Sequence, residues 1–396
     1  MKYKFWLLSI LFIGFQMKAQ ENYIPDLVAN KSEILKKVFS NPEKYRLQII
    51  YTEIKRNRNN KPQFFTHRYR TNLNEYFYPA STVKLAACVL GLEKINSLAS
   101  KGINKQTTMF HLKNRDAQTE AKSDSSAENG LPTLANYIKK ILLVSDNDAY
   151  NRIYEWIGQK EINAEMAKKG FKGVRLTHRL QIPLSPEENR ITNAVQFVDP
   201  SGKIIYEEPQ RTNEEVIKAP KPILLGKGVM NDHGQIENKP LEFTYKNAFP
   251  LEAQHDLLKR IYFPESINKT KRLHLSNEDY AFLRKYMSMF PTDSDFPNYN
   301  KDKNIFPTYC KFLYYGSDKN ATINPDLTIY NKVGDAYGFL LDNAYLVDKK
   351  NNKEILVSVS MLCNEDEIFN DDKYDYETIG FPFMRDLGKV LLGYEL

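Results

Sequence analysis

The 396-residue chain reads as an α+β protein. Strand-like segments gather towards its two ends, apolar stretches with helical spacing fill the middle and the C-terminus, and a hairpin signature marks a β-rich insertion. Each element follows from its own residues.

Residues 1–19 predict an export leader, with Lys2 and Lys4 ahead of an apolar stretch and Ala19 at the cleavage position. The stretch is shorter than the roughly 20 apolar residues a membrane span needs, and no cysteine near Ala19 offers a lipid anchor. Residues 26–45 carry helical spacing and residues 47–54 strand composition. Arg56-Asn57-Arg58-Asn59-Asn60 then forms a polar turn into a second strand over 62–69.

Ser81 follows Tyr78-Pro79-Ala80 and opens an apolar run from Val83 to Leu92, which predicts a buried helix of about four turns. Proline just ahead suits a helix start. Residues three apart share a helix face, so Ser81 and Lys84 are expected side by side at the first turn. There the free N–H groups and positive dipole end favour a developing oxyanion. A serine hydroxyl needs a neighbouring base to become a nucleophile, and a lysine serves if burial or a nearby cation lowers its pKa.

Residues 116–130 are polar and predict an exposed loop. Residues 131–144 predict a helix that turns at Ser145-Asp146-Asn147 into another over 148–158, stopped by Gly158. Ser, Asp and Asn are also preferred N-caps, so helix capping alone explains that tripeptide. Within 194–249, Val195–Val198 and Lys203–Tyr206 flank Asp199-Pro200-Ser201-Gly202 as a hairpin. Helical patterns return over 251–262 and 278–289.

Residues 328–331 lead as a strand into Lys332-Val333-Gly334. Further strands are expected over 337–347 and 354–362, and a terminal helix over 375–392 despite Pro382. Gly334 permits close backbone approach.

Taken in order, Ser81-Thr82-Val83-Lys84, Ser145-Asp146-Asn147 and Lys332-Val333-Gly334 resemble the S-x-x-K, S-D-N and K-T-G motifs of class A β-lactamases and penicillin-binding proteins. Single matches recur by chance, as at Ser266-Ile267-Asn268-Lys269 and Lys168-Lys169-Gly170. The resemblance implies an antiparallel sheet built from both chain ends and flanked by helices, with a mostly helical subdomain. Residues 20–396 would then form one catalytic domain: a sheet part over about 26–80 and 305–396, a helical part over about 81–193 and 250–304, and the insertion over about 194–249. By the same resemblance Ser81 is the nucleophile, Lys84 its base and Ser145 a proton relay. Asn147 holds the substrate amide and Lys84, while Asp146 is structural. Lys332, on an edge strand, supplies positive charge, and the N–H groups of Ser81 and Asp335 form the oxyanion hole.

Two departures from the family stand out. Its deacylation loop carries a glutamate, but the matching stretch here, Leu176 to Ser185, has Gln181 in that place. A primary amide cannot accept a proton at neutral pH. Glu187 or Glu188 substitutes if the loop is shifted. Val333 also replaces a hydroxyl residue that would bind a substrate carboxylate.

The formal net charge of +7 falls to +4 without Lys2, Lys4 and Lys18 of the leader, an unremarkable balance that argues against a nucleic-acid binder. Three cysteines allow at most one disulfide, with Cys88 and Cys363 expected as buried thiols. The six histidines never form a close ligand pair, so no metal or other cofactor is expected. The reading is therefore a monomeric, exported, periplasmic or extracellular serine hydrolase without a stable membrane anchor, acting on a β-lactam or a peptidoglycan-like amide. A D-Ala-D-Ala-type peptidase and a non-catalytic cell-wall binding module on the same fold are the alternatives.

Overall fold

The structure, a computed structural model, describes residues 23–396; the leader assigned to residues 1–19 lies outside them. Residues 23–28 are helical and α1 spans Glu33–Phe39, so the single helix expected over 26–45 is broken. The break comes at Ser32, whose Oγ accepts from the Leu35 N–H (3.3 Å) and starts a new helix as an N-cap. Strands β1 (Gln48–Arg56) and β2 (Pro62–Tyr69) follow, joined by the polar turn. Then come α2 (Val83–Ser97), β3 (Thr108–His111), α3 (Leu134–Val144), α4 (Asn147–Ile157) and α5 (Gln159–Lys168). The insertion supplies β4 (Val195–Val198), β5 (Ile204–Glu208), β6 (Leu224–Leu225), β7 (Gly228–Met230), β8 (Ile236–Glu237) and β9 (Leu241–Glu242). After it run α6 (Leu251–Tyr262), α7 (Asn277–Ser288), β10 (Leu327–Ala336), β11 (Phe339–Asp348), β12 (Lys353–Leu362), β13 (Ile368–Phe369) and α8 (Phe381–Leu392). Pro382 falls in the first turn of α8, where its missing N–H costs nothing.

Both ends of the chain build one antiparallel sheet in the order β10-β11-β12-β1-β2, with β10 at an edge. One face packs on α1 and α8 through residues such as Leu35, Val38, Leu340, Val357, Leu387 and Leu391. The opposite face meets the helical part, where the buried His255 of α6 bonds Thr52 Oγ1 and Ser358 Oγ, each at 2.9 Å. In the helical part α2 is buried from Val83 to Leu92, which explains why its sequence is apolar all round. Gly91 lets α3 and α4 come close: a Cβ there would lie 3.2 Å from Leu134 and 3.3 Å from Ile153.

The insertion is stitched to the rest at two places. Its β4–β5 hairpin adds to β3, and β13, from near the C-terminus, pairs in parallel with β7. Phe243 packs edge-on to Phe369 (5.5 Å) in the small core beneath this second seam. The loop over 116–130 is less exposed than its polarity suggested. Gln118 is buried and donates to Thr192 O (2.8 Å), and Asp124 accepts from Asn136 Nδ2 (2.8 Å). Cys88, Cys310 and Cys363 are all buried and free. No helix of the described residues is long and apolar enough to cross a membrane, and they contain no histidine, cysteine and carboxylate group with metal-ligand geometry.

Candidate active site

The chain enters the site through Tyr78-Pro79 into a 3-10 turn over Ala80–Thr82 that runs on into α2. Ala80 sits at φ +45°, a strained conformation for a residue with a Cβ. The Thr82 hydroxyl fastens the turn by donating to Pro79 O (2.6 Å). Ser81 is thus half-buried at the N-terminal end of a helix.

Lys84, one turn on, is wholly buried. Its ammonium donates to Asn147 Oδ1 (2.7 Å), to the Ser145 carbonyl and, at 3.3 Å, to Ser145 Oγ. The Ser81 hydroxyl is not among its hydrogen-bond partners, although the helical spacing places the two residues together. Burial pushes the Lys84 pKa well below the ordinary lysine value, and the charge of Lys332 pushes it the same way. Asp146 and Asp335 oppose both.

Ser145 ends α3 in the left-handed region (φ +60°), and Asp146 caps α4 by accepting from the Ala149 N–H (2.7 Å). The capping reading of this tripeptide therefore holds for Asp146, while its two neighbours face the site. Lys332 reaches in from edge strand β10 and donates to Ser145 Oγ (2.8 Å) and to Val333 O (2.8 Å). One hydroxyl, that of Ser145, thus lies between two lysine amines.

Asn147 has a second partner: its Nδ2 donates to Gln181 Oε1 at 2.6 Å. The loop bearing Gln181 is anchored by a reciprocal pair between Asn151 and Leu180 (3.0 and 2.8 Å) and by the buried Arg179–Glu155 ion pair (2.9 Å). Gln181, rather than Glu187 or Glu188, is therefore what this loop presents to Asn147. The Glu188 carboxylate accepts from the Ser185 N–H (2.9 Å), and Glu187 lies exposed along the cleft; neither bonds Ser81, Lys84 or Asn147.

Gly334 brings β10 onto the Ser81 turn. A Cβ there would stand 2.8 Å from Ser81 N and 3.0 Å from Pro79 O and Thr82 N, so only glycine fits. Asp335 follows, exposed within the cleft; crowding raises its carboxyl above the usual range while Lys332 and Lys84 pull it down. Val333 is 2 % exposed and belongs to the apolar cluster between the sheet and its α1/α8 layer. It does not stand in the cleft where a carboxylate-binding hydroxyl was expected.

The cleft encloses about 680 Å³ and runs from Ser81 and Asn147 past Gln181 towards Lys246 and Tyr337. Its far wall was missed by sequence reasoning, because Tyr245 and Lys246 come from the insertion and no motif marks them. Lys246 donates to the Tyr337 hydroxyl (3.2 Å), and Tyr337 meets Tyr78 edge-on at 5.1 Å. Tyr78 in turn stacks on His178 (6.1 Å), whose pKa burial pushes down to about 4. The second S-x-x-K match lies elsewhere, with Ser266 and Lys269 on exposed turns.

Residues 32–380 match the family described as the beta-lactamase enzyme family. Similar solved structures include the β-lactamase from Streptomyces albus G, at 11 % identity and a TM-score of 0.50 over 90 % of this chain and 99 % of that one. A β-lactamase from Burkholderia phymatum is similar at 13 % identity and a TM-score of 0.48, over 94 % and 98 % of the two chains. At such identities the Streptomyces likeness speaks for the fold alone. No curated protein sequence matches the chain.

Proposed function

Because the chain belongs to the beta-lactamase enzyme family, we propose that it is an exported serine hydrolase that acylates Ser81 with a β-lactam or a related amide and clears the acyl group slowly. The observation that carries this is the amine of Lys84, buried one turn after Ser81 and tied through Ser145 Oγ to Lys332.

In this reading the neutral Lys84 amine takes the Ser81 Oγ proton as Oγ attacks the amide carbon. The carbonyl oxygen becomes an oxyanion held by the N–H groups of Ser81 and Asp335. The C–N bond then breaks, and the proton passes from Lys84 through Ser145 Oγ to the departing nitrogen. Burial, helped by the charge of Lys332 2.8 Å from that hydroxyl, pushes the Lys84 pKa down and so suits the amine to this role. Asn147 orients Lys84 and offers the substrate amide its side chain. Hydrolysis of the ester needs a base against a water, and the amide of Gln181 accepts no proton.

Gln181 beside Asn147 also supports a second reading, a D-Ala-D-Ala-type peptidase with a long-lived acyl-enzyme. A binding module that only retains the fold has no use for a buried lysine beside a serine. Residues 1–19 would direct export.

Intact mass during incubation with benzylpenicillin tests the proposal. The wild-type protein gains one penicilloyl adduct, and Ser81→Ala gains none while keeping its circular dichroism spectrum. Lys84→Ala loses nearly as much as Ser81→Ala, and the double variant loses no more, because the pair acts as a unit. An adduct that survives in Ser81→Ala overturns the assignment.

A further inference from the structure

We propose that Asp335 sets the substrate class: the cleft takes amides in which the group flanking the scissile bond is neutral or cationic rather than a free carboxylate. This rests on the acyl-enzyme reading above.

Gly334 lies against Ser81 N, so the strand passes the nucleophile at backbone contact. A carbonyl held by the next N–H is held by Asp335 itself, and the carboxyl attached to that residue lines the same cleft. Any substituent beside the scissile bond comes within reach of it. Val333, two residues earlier on β10, is buried among apolar residues and offers no hydroxyl.

The cations in and around the cleft hold other partners, and Arg190 on its lining donates to the Glu214 carbonyl (3.2 Å). Lys332 is 2 % exposed, does not line the cleft, and spends its hydrogen bonds on Ser145 Oγ and Val333 O. Arg179 is locked to Glu155. Lys246 stands on the insertion's wall, held by the Tyr337 hydroxyl. Glu187 and Asp372 add two further carboxyls to the lining. A carboxylate at the scissile bond therefore meets a like charge, whereas an ammonium or a carboxamide N–H finds an acceptor.

The test compares benzylpenicillin with its primary carboxamide, reading the second-order acylation constant by intact mass for wild type, Asp335→Asn and Asp335→Ala. Wild type is expected to favour the carboxamide by about tenfold, the scale of a like-charge contact in a partly wet site. Both variants should abolish most of that preference, by speeding acylation by the carboxylate relative to the carboxamide. The ratio is read within each folded variant, so a loss of stability does not imitate the effect. Wild type acylated faster by benzylpenicillin, or a ratio unchanged in both variants, overturns the inference and leaves the acyl-enzyme reading standing. No acylation by either compound overturns both.

Discussion

Gln181 accepts a 2.6 Å hydrogen bond from Asn147 Nδ2, a contact that a glutamate at the same place would make equally well. The two side chains have the same shape, and only the carboxylate takes up a proton. Gln181→Glu should therefore leave acylation of Ser81 nearly unchanged and speed loss of the acyl group. A positioned general base contributes about 10²–10⁴-fold, so the adduct lifetime should fall by about 10²-fold or more. Intact mass followed over time after removing free penicillin measures it. If wild type clears the adduct quickly and Glu187→Gln or Glu188→Gln stops clearance, the base is that glutamate instead. The same scale of reasoning corrects Val333: a hydroxyl introduced there would enter an apolar cluster, not the cleft, so it would not bring the substrate carboxylate a partner.

Strand β10 and helix α2 meet at Gly334, and the site depends on how near they come. Lys332 reaches Ser145 from a strand that touches the Ser81 turn because no Cβ separates it from Ser81 N. Gly334→Ala puts a methyl 2.8–3.0 Å from three backbone atoms, none of which is the free end of a flexible side chain. The strand must shift outward, and a misplacement of about 1 Å at a reacting centre costs on the order of 10²-fold. Acylation should fall by that much in a variant whose melting temperature drops only slightly, since β10 is a sheet edge and can move. Acylation within threefold of wild type would show that the close approach does not serve the chemistry.

Across the whole molecule, the helical part and the sheet are joined by polar groups that must remain neutral. Burial holds His255 at about 3, and its neutral ring bridges Thr52 and Ser358 across that junction. His111, also at about 3, and His178, at about 4, are buried in the same sense. A histidine with a depressed folded pKa contributes stability that is fully present above its unfolded value of roughly 6.5 and is lost as pH falls towards the folded value. Asp342, raised to about 6 by burial, takes up a proton in the folded state over this window and offsets part of the loss. Stability from urea unfolding should therefore decline from pH 6.5 to 4.5. His255→Gln should flatten that decline by about 1.4 kcal/mol per pH unit, one proton's worth. An unchanged slope in His255→Gln would show that this ring is not neutral and buried in the folded protein.

The amino-acid sequence by itself determined the features that depend on neighbours along the chain. Helical and two-residue periods located α2, α6 and β2, because amphipathic or fully apolar spacing reports which faces are buried. The three motifs marked Ser81, Lys84, Ser145, Asn147, Lys332 and Gly334, and the alignment of one loop put Gln181 rather than a glutamate beside them. The leader over residues 1–19 is an expectation of the sequence that lies outside the described residues, and the residue roles belong to the proposal. Tertiary structure decided whatever joins residues far apart in the chain. It set Lys332 on Ser145 Oγ, turned Lys84 to Ser145 and Asn147 rather than to Ser81, and sent Val333 into the core. It also stitched the insertion to β3 and β13, so that Lys246 forms a wall of the cleft. Local spacing constrains only the few residues of one turn or one pleat, whereas these contacts follow from how whole elements pack, and no short stretch of residues encodes that by itself.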